Sequence, residues 1–505
     1  MNRRPLWQAL GGIALLAVGG LWVYVSSRSY MERHVIAATS ACRADMMVVQ
    51  KRGVTVPPAG GAVVLFHGLA ANKHIMTYLA RSFAELGLTV FVPDLPGHGR
   101  TTGPFTPDSA QNCATSLVRG LSARGLIAPD RTILAGHSMG GAIALRVAPD
   151  FRPAGVIAIS PAPMRAAHGV SPEKLLYQNP PRILSNTLVT AGRFEPSGLT
   201  ANAADLMSQN SADATSEFHF LPRQSHVSVL FAPEVASMTQ AWAARVFHVP
   251  NSGRVPSLLY FGGGLLGLVG IVVLAGPFLQ EMAPATPKPE TIRTQAPSAI
   301  RWLLEVALVS IAMVFLLRYF VPLKVLRLFE GDYLASFFLL TGTALLLLHP
   351  KLAQRNLPAK PSVLLMAALG ALILHLLVTG WFDLTITDSW LTLQRWARFP
   401  LFFLAAFFFL YALEILLGPV EQPRKRYALD LVAILLAWMA VAAGAFFLHS
   451  GEILPVLLGP YFAVFFVFSR LGARLVRQRT ASATAAAVFG AILLAGFCLV
   501  LFPAS

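Results

Sequence analysis

The apolar positions divide the chain into two regimes. Residues 28–254 mix polar and apolar positions as a globular domain does, whereas residues 256–505 are dominated by long apolar runs. Within the first regime, short β-branched runs alternate with helical stretches. AVVLFHG (62–68), LTVFVPD (88–94), RTILAGHS (131–138), AGVIAIS (154–160), NTLVTAG (186–192) and EFHFLP (217–222) read as strands. Helices are predicted around 73–86, 109–124, 140–148 and 233–247. Short apolar strands alternating with helices predict an α/β fold, a doubly wound and mostly parallel sheet covered on both faces. Ligands of such sheets bind at the carboxyl ends of the strands, so the chemistry is expected just after strands.

The second regime predicts helices, because in lipid a backbone must satisfy its own hydrogen bonds. Eight runs, near 257–279, 302–320, 333–349, 362–380, 399–418, 428–448, 453–469 and 483–502, are each close to the ~20 residues that span a bilayer core. Residues 6–25 make a ninth run, preceded by Arg3 and Arg4. It is longer than the core of a cleaved signal peptide and no A-x-A site follows it closely, which favours an uncleaved signal anchor. The expected organisation is an anchor over 1–27, a globular domain over 28–254 and an all-α membrane domain over 255–505.

Composition agrees with this division. The chain is 55% hydrophobic and only 13% charged, far from the balance of a soluble protein. Its net charge of +16 does not read as a nucleic-acid footprint, because no basic stripe interleaved with aromatics occurs. The basic residues sit in short loops instead, where they set orientation. With the amino terminus inside, the inner segments hold 15 Lys and Arg, among them Arg424–Arg426 and Arg470, Arg474, Arg477 and Arg479; the outer loops hold 5. The globular domain is therefore expected outside. No Asn-x-Ser/Thr sequon occurs, which leans towards a bacterial inner membrane with a periplasmic domain. Cys42 and Cys113 would then face an oxidising compartment, where either a disulfide or two buried thiols is open. Cys498 lies in the final apolar run and reads as an inert membrane residue.

Gly136-His137-Ser138-Met139-Gly140 fits G-x-S-x-G between a strand and a helix, and continues into Gly141. The pattern has a steric reason: a serine on so sharp a turn needs neighbours without side chains two residues away on either side. Together with HGL (67–69), DLPGHG (94–99) and SHVSVL (225–230), in this order, the motif makes residues 45–250 resemble the α/β-hydrolase superfamily. The nearest likeness is to its serine esterases and monoacylglycerol-lipase-like members. The membrane region resembles no recognised family.

The resemblance implies a triad in chain order serine, acid, histidine. Ser138 is the expected nucleophile and His226 the general base. The family's acid follows the penultimate strand, often as G-x-x-D; here Gly192-Arg193-Phe194-Glu195 matches, with glutamate in place of aspartate. Glu195 is the expected acid, with Asp205 and Asp213 as alternatives. The oxyanion hole is expected to use the backbone N–H groups of Met139 and Leu69. His67 and His98 read as shaping their loops.

A serine nucleophile disfavours the aspartate-dependent epoxide-hydrolase and dehalogenase branches and leaves acyl transfer through an acyl-enzyme. A cap of some 25 residues, 161–185, implies an open mouth. With the membrane close by, the expected partners are a lipid or amphiphilic ester substrate and membrane lipids. No metal or organic cofactor is signalled. A lipid transporter or flippase with an accessory hydrolase, and an acyltransferase, are the competing functions. Within the apolar runs, Glu305, His375 and Glu414 stand out as ionisable, against packing or interhelical hydrogen bonds. Gly263 and Gly267, at four-residue spacing, read as a close helix contact.

Overall fold

The computed structural model describes residues 4–54, 61–162, 185–208, 215–251, 253–282, 299–320, 325–356, 359–417, 422–448 and 453–505. The chain forms two compact units. One comprises Gly19–Gly264 with Phe382–Trp390 and Pro503–Ser505; the other comprises Met1–Val18, Leu265–Trp381 and Leu391–Phe502. The segments 382–390 and 503–505 join the first unit from far along the chain, and no sequence pattern announces them.

The first unit is built on an eight-stranded sheet: β1 (Tyr30–Ala38), β2 (Arg43–Lys51), β3 (Ala62–Phe66), β4 (Thr89–Pro93), β5 (Thr132–His137), β6 (Gly155–Ile159), β7 (Thr187–Phe194) and β8 (Glu217–Ser225). Their order is β1-β2-β4-β3-β5-β6-β7-β8. β3 to β8 run parallel, while β2 pairs antiparallel with both β1 and β4. The six parallel strands are those read from the sequence. The β1–β2 hairpin is not among them. Most of β1 is exposed or half-buried, so this edge strand lacks the apolar signature that marks the others.

Five of the six parallel strands are short and buried on both faces, as a covered parallel sheet requires. Alternate residues Val63, Leu65, Val90, Val92, Ile133, Ala135, Ile157 and Ile159 pack on one side. There they meet Tyr78, Leu79 and Phe83 of α2 (Thr77–Ala84) and Val235, Ala236 and Trp242 of α6 (Pro233–Phe247). α3 (Pro107–Ala123) packs on α4 (Met139–Phe151), and α4 lies against β3, β5 and β6. Buried Arg81 joins three parts of this unit. It bonds Glu32 (Nε···Oε1 2.7 Å) and Ser27 (Nη2···Oγ 2.9 Å) and lies over the rings of Tyr30 and Tyr260.

Cys42, just before β2, is bonded to Cys113 in α3, with Cα atoms 5.3 Å apart. The alternative of two separate buried thiols does not hold. The bridge ties the antiparallel edge of the sheet to a helix 71 positions away.

Among the described residues, eight helices are long and apolar enough to cross a bilayer: Pro5–Ser27, Leu259–Leu279, Ala299–Tyr319, Gly331–Leu348, Pro361–Thr385, Phe399–Leu416, Arg424–Phe447 and Ala483–Leu501. The run at 453–469 differs from its expectation. It is a short turn of helix, Leu454–Leu457, followed by the helix Gly459–Thr480, which carries Arg470, Arg474, Arg477 and Arg479 and is not among the eight. A side chain on Gly263 would press on the Gly19 carbonyl, and one on Gly267 would strike Trp381, so both glycines permit close contacts. In the second unit Glu305 pairs with His349. Buried His375 lies against Gly496. Glu414 binds Arg426 (2.6 Å) and Arg470 (2.5 Å), and Arg470 also binds Asp430 (2.6 Å).

Closing the loop between Cys42 and Cys113, 71 positions apart, removes about 4 kcal/mol of unfolded-chain entropy. Reduction is therefore expected to lower the melting temperature of the wild-type protein and leave that of a Cys42→Ala/Cys113→Ala variant unchanged, as followed by tryptophan fluorescence with and without dithiothreitol.

Candidate active site

Three side chains meet at the carboxyl edge of the sheet because each directly follows a strand. Ser138 follows β5, Glu195 follows β7 and His226 follows β8. β7 and β8 run further than their apolar cores suggest. A register shift interrupts their pairing between Gly192 and Phe194, the kind of irregularity that bends a strand locally.

Ser138 has φ 54° and ψ −118°, a left-handed backbone rarely tolerated by a residue with a side chain. The turn is held by its surroundings. Ser138 N–H donates to the Ile159 carbonyl (2.9 Å), and the Ser138 carbonyl accepts from Ala142 and Ala162. A side chain on Gly136 would collide with the Gly140 carbonyl, and one on Gly140 with the Phe66 carbonyl. Both positions need glycine because backbone passes where a Cβ would be.

Ser138 Oγ lies 2.9 Å from His226 Nε2. On the other side of the ring, His226 Nδ1 is 3.5 Å from Glu195 Oε2. This is an ion-pair separation rather than an aligned hydrogen bond, and neither atom has a hydrogen-bond partner among the described residues. Such contacts are often long before substrate binds. The other carboxylate oxygen of Glu195 is fixed by the Gly192 N–H (2.7 Å) and the Ser160 hydroxyl. One oxygen is anchored and the other is left for the imidazole. Asp205, an alternative acid, lies on α5 (Ser197–Ser208); Asp213 and nearly all of the cap segment lie outside the described residues.

Two further contacts have no sequence signal of their own. His137, the variable position of the elbow, presents Nε2 2.7 Å from the His226 carbonyl oxygen, with the two rings 4.7 Å apart. Burial holds His137 well below the ordinary histidine range, reinforced by the charge of His226. The neutral ring therefore carries its proton on Nε2, where it donates. Ser160, buried at the end of β6, also has positive φ (46°). Its place after a strand was the only hint available.

Leu69 lies half-buried in the turn after β3, and Met139 directly follows Ser138. Met139 opens α4 and is buried. Gly68 packs so closely that a Cβ there would sit 3.2 Å from Ser138 Cβ. His67, fully buried, fixes the entry to this loop: Nδ1 lies 2.8 Å from the Gly68 carbonyl, while Nε2 accepts from Leu95 N–H (3.0 Å). Burial lowers its pKa to about 4, which suits a neutral ring that donates at one nitrogen and accepts at the other. His98 donates from Nδ1 to the Pro96 carbonyl (2.9 Å) and packs on His67 and Phe105.

The sequence of residues 61–243 matches the family described as alpha/beta hydrolase fold. This part of the chain has the α/β-hydrolase fold. Solved structures of similar fold include an alpha-beta serine hydrolase homologue from Coxiella burnetii (17% identity, 42% of this chain and 96% of that one, TM-score 0.34). A thermophilic esterase from Thermogutta terrifontis is another (17% identity, 43% and 99%, TM-score 0.33). Curated relatives include uncharacterized proteins of Mycobacterium bovis and Mycobacterium tuberculosis, 30% identical over 101 residues. That match covers 20% of this chain and 28% of each relative. Within the hydrolase, a second buried cluster flanks the Gly68 loop. Asp94 accepts from the backbone N–H of Lys73 (2.7 Å) and of Arg100 (3.0 Å), and from Lys73 Nζ (2.7 Å). Burial lifts Asp94 to about 6, with the Lys73 charge restraining it. Burial also works against the Lys73 ammonium, but Asp94 and Asp388 overrule it and hold the pKa above its ordinary value.

Gly140→Ala is expected to destabilise the hydrolase by more than about 3 kcal/mol, since the colliding atoms, of Phe66 and His67, are all backbone. Gly103→Ala, at a position with open space beside it but φ 102°, should cost only about 1–2 kcal/mol. Thermal unfolding of the two variants against wild type measures the difference.

Proposed function

We propose that this chain is a membrane-bound serine hydrolase that cleaves a carboxylic ester through an acyl-enzyme. The observation that carries the reading is the 2.9 Å approach of Ser138 Oγ to His226 Nε2 on a turn with left-handed backbone, a nucleophile raised at the edge of the sheet beside a base.

In the proposed reaction His226 Nε2 takes the Ser138 proton as Oγ attacks the ester carbonyl. The tetrahedral oxyanion lies against the backbone N–H groups of Met139 and Leu69. Collapse breaks the bond to the alcohol oxygen, which leaves with the proton from His226. Water then attacks the acyl-enzyme by the same route and releases the acid and free Ser138. Glu195 orients His226 and stabilises its cation; the anchoring of its Oε1 by Gly192 and Ser160 supports this role over Asp205.

The substrate class follows from the setting. Eight helices with the length and composition of bilayer spans make a lipid or amphiphilic ester, such as a monoacylglycerol or lysophospholipid, the proposed substrate. The orientation proposed from the basic loops puts the hydrolase outside the membrane. The Cys42–Cys113 bridge supports that side, because disulfides persist in oxidising compartments.

Ser138→Ala should abolish fluorophosphonate labelling and ester hydrolysis. His226→Ala and Glu195→Gln should each lower kcat by about 10³-fold or more, with Asp205→Asn close to wild type. Rates on a panel of short-chain esters, monoacylglycerols and lysophospholipids test this; turnover confined to soluble short-chain esters would remove the lipid assignment. Release of free acid as the main product when an alcohol acceptor is supplied separates hydrolysis from acyl transfer.

A further inference from the structure

The loop that carries Leu69 is short and conformationally costly. A Cβ on Gly68 would sit 3.2 Å from Ser138 Cβ, Ala70 has φ 59°, and Ala71 N–H turns back to the Gly68 carbonyl (3.2 Å). A left-handed alanine persists only where its neighbours over-determine it. At the loop's entry that role falls to His67, bonded to Gly68 and Leu95.

At the loop's exit it falls to residues more than 300 positions later. Asn72 caps the following turn by accepting from His74 N–H (3.1 Å). Its amide Nδ2 donates to Thr387 Oγ1 (2.7 Å) and to the Asp388 carbonyl (3.2 Å). Lys73, fully buried, places Nζ between Asp94 and the Asp388 carboxylate, with Asp45 at 3.4 Å. Asp388 in turn lies 3.1 Å from Arg100 Nε and 3.5 Å from His74 Nε2, and Arg100 also binds Asp383 (2.5 Å). Asp383, Thr387 and Asp388 lie in Phe382–Trp390, which belongs to the hydrolase unit although the apolar helix Pro361–Thr385 runs into it. Asp388 and Ser389 are buried there. A carboxylate kept almost fully from water, and shared among Lys73, Arg100 and His74, makes a specified contact rather than a passing surface pair.

We infer that the segment 382–390 is part of the catalytic apparatus, with Thr387 and Asp388 as positioning residues that hold the Asn72–Lys73 end of the loop and thereby aim the Leu69 N–H at the reacting oxyanion. The inference rests on the hydrolase reading above and extends it: one donor of the oxyanion site is set from outside the α/β-hydrolase sequence. Deleting such a donor outright costs about 10²–10³-fold in kcat; loosening it should cost less and leave ground-state binding intact.

The test uses the full-length protein in detergent, with wild type, Thr387→Ala, Asp388→Asn and Asp388→Glu. A chromogenic ester gives kcat and KM, and a trifluoromethyl ketone, whose adduct needs the oxyanion site, gives an inhibition constant. Thr387→Ala is expected to lower kcat about 3- to 10-fold and Asp388→Asn about 10- to 100-fold. KM should stay within about twofold, trifluoromethyl ketone inhibition should weaken in step with kcat, and Asp388→Glu should recover part of the loss. A lower melting temperature with wild-type kcat and inhibition would reduce the segment to a structural strap and overturn the inference. Should Asp388→Asn fail to fold, Thr387→Ala decides alone, since it removes one hydrogen bond and no charge. No fluorophosphonate labelling of wild-type Ser138 would instead sink the hydrolase reading, and this inference with it.

Discussion

Everything at the candidate site depends on a crowded crossing of backbone. β5 ends, the chain reverses at Ser138, and α4 starts so close beneath that carbonyls of Phe66 and Gly140 occupy the space where side chains of residues 140 and 136 would be. That contact fixes the backbone of residue 138 in a region it would otherwise avoid, and the hydroxyl is lifted towards His226 as a result. The sheet matters to the chemistry chiefly as the rigid frame that keeps this crossing from relaxing.

Around the crossing, polar groups are buried in a way that assigns each atom one task. His67 donates at one nitrogen and accepts at the other, and His137 donates to the carbonyl of His226. Glu195 has one oxygen tied down and the other turned to the imidazole. Burial explains why the two supporting histidines stay neutral. The Asp94–Lys73–Asp388 cluster applies the same logic with charges, where opposite signs compensate the loss of water.

Much of this was legible in the sequence, for definite physical reasons. Buried parallel strands write themselves as apolar β-branched runs, so β3 to β8 could be read, and the steric demand of the elbow left its glycines around Ser138. Chain order then placed His226 and Glu195. β1 was hidden because an exposed edge strand has no apolar face to display. Ser160 and His137 were hidden because they act through contacts that only the fold assembles. Asp388 was least legible: it sits between two apolar runs, where a lone carboxylate looks like an ordinary loop residue, and nothing local points to a lysine 315 positions earlier. The arginines of Gly459–Thr480 were read as an orientation marker, yet Arg470 is buried between Glu414 and Asp430, so charge counting by loops missed an interior network.

The backbone contacts of residue 504 bear on how such a protein is made. Ala504 N–H donates to the Gly97 carbonyl (3.1 Å) and its carbonyl accepts from Phe105 N–H (2.6 Å), so the DLPGHG turn is stitched to residues beyond the helix Ala483–Leu501. A ribosome completes β8 some 280 residues before it reaches that stitch. The strands of the sheet thus emerge early, whereas these contacts of the DLPGHG turn form only once residue 504 has left the ribosome.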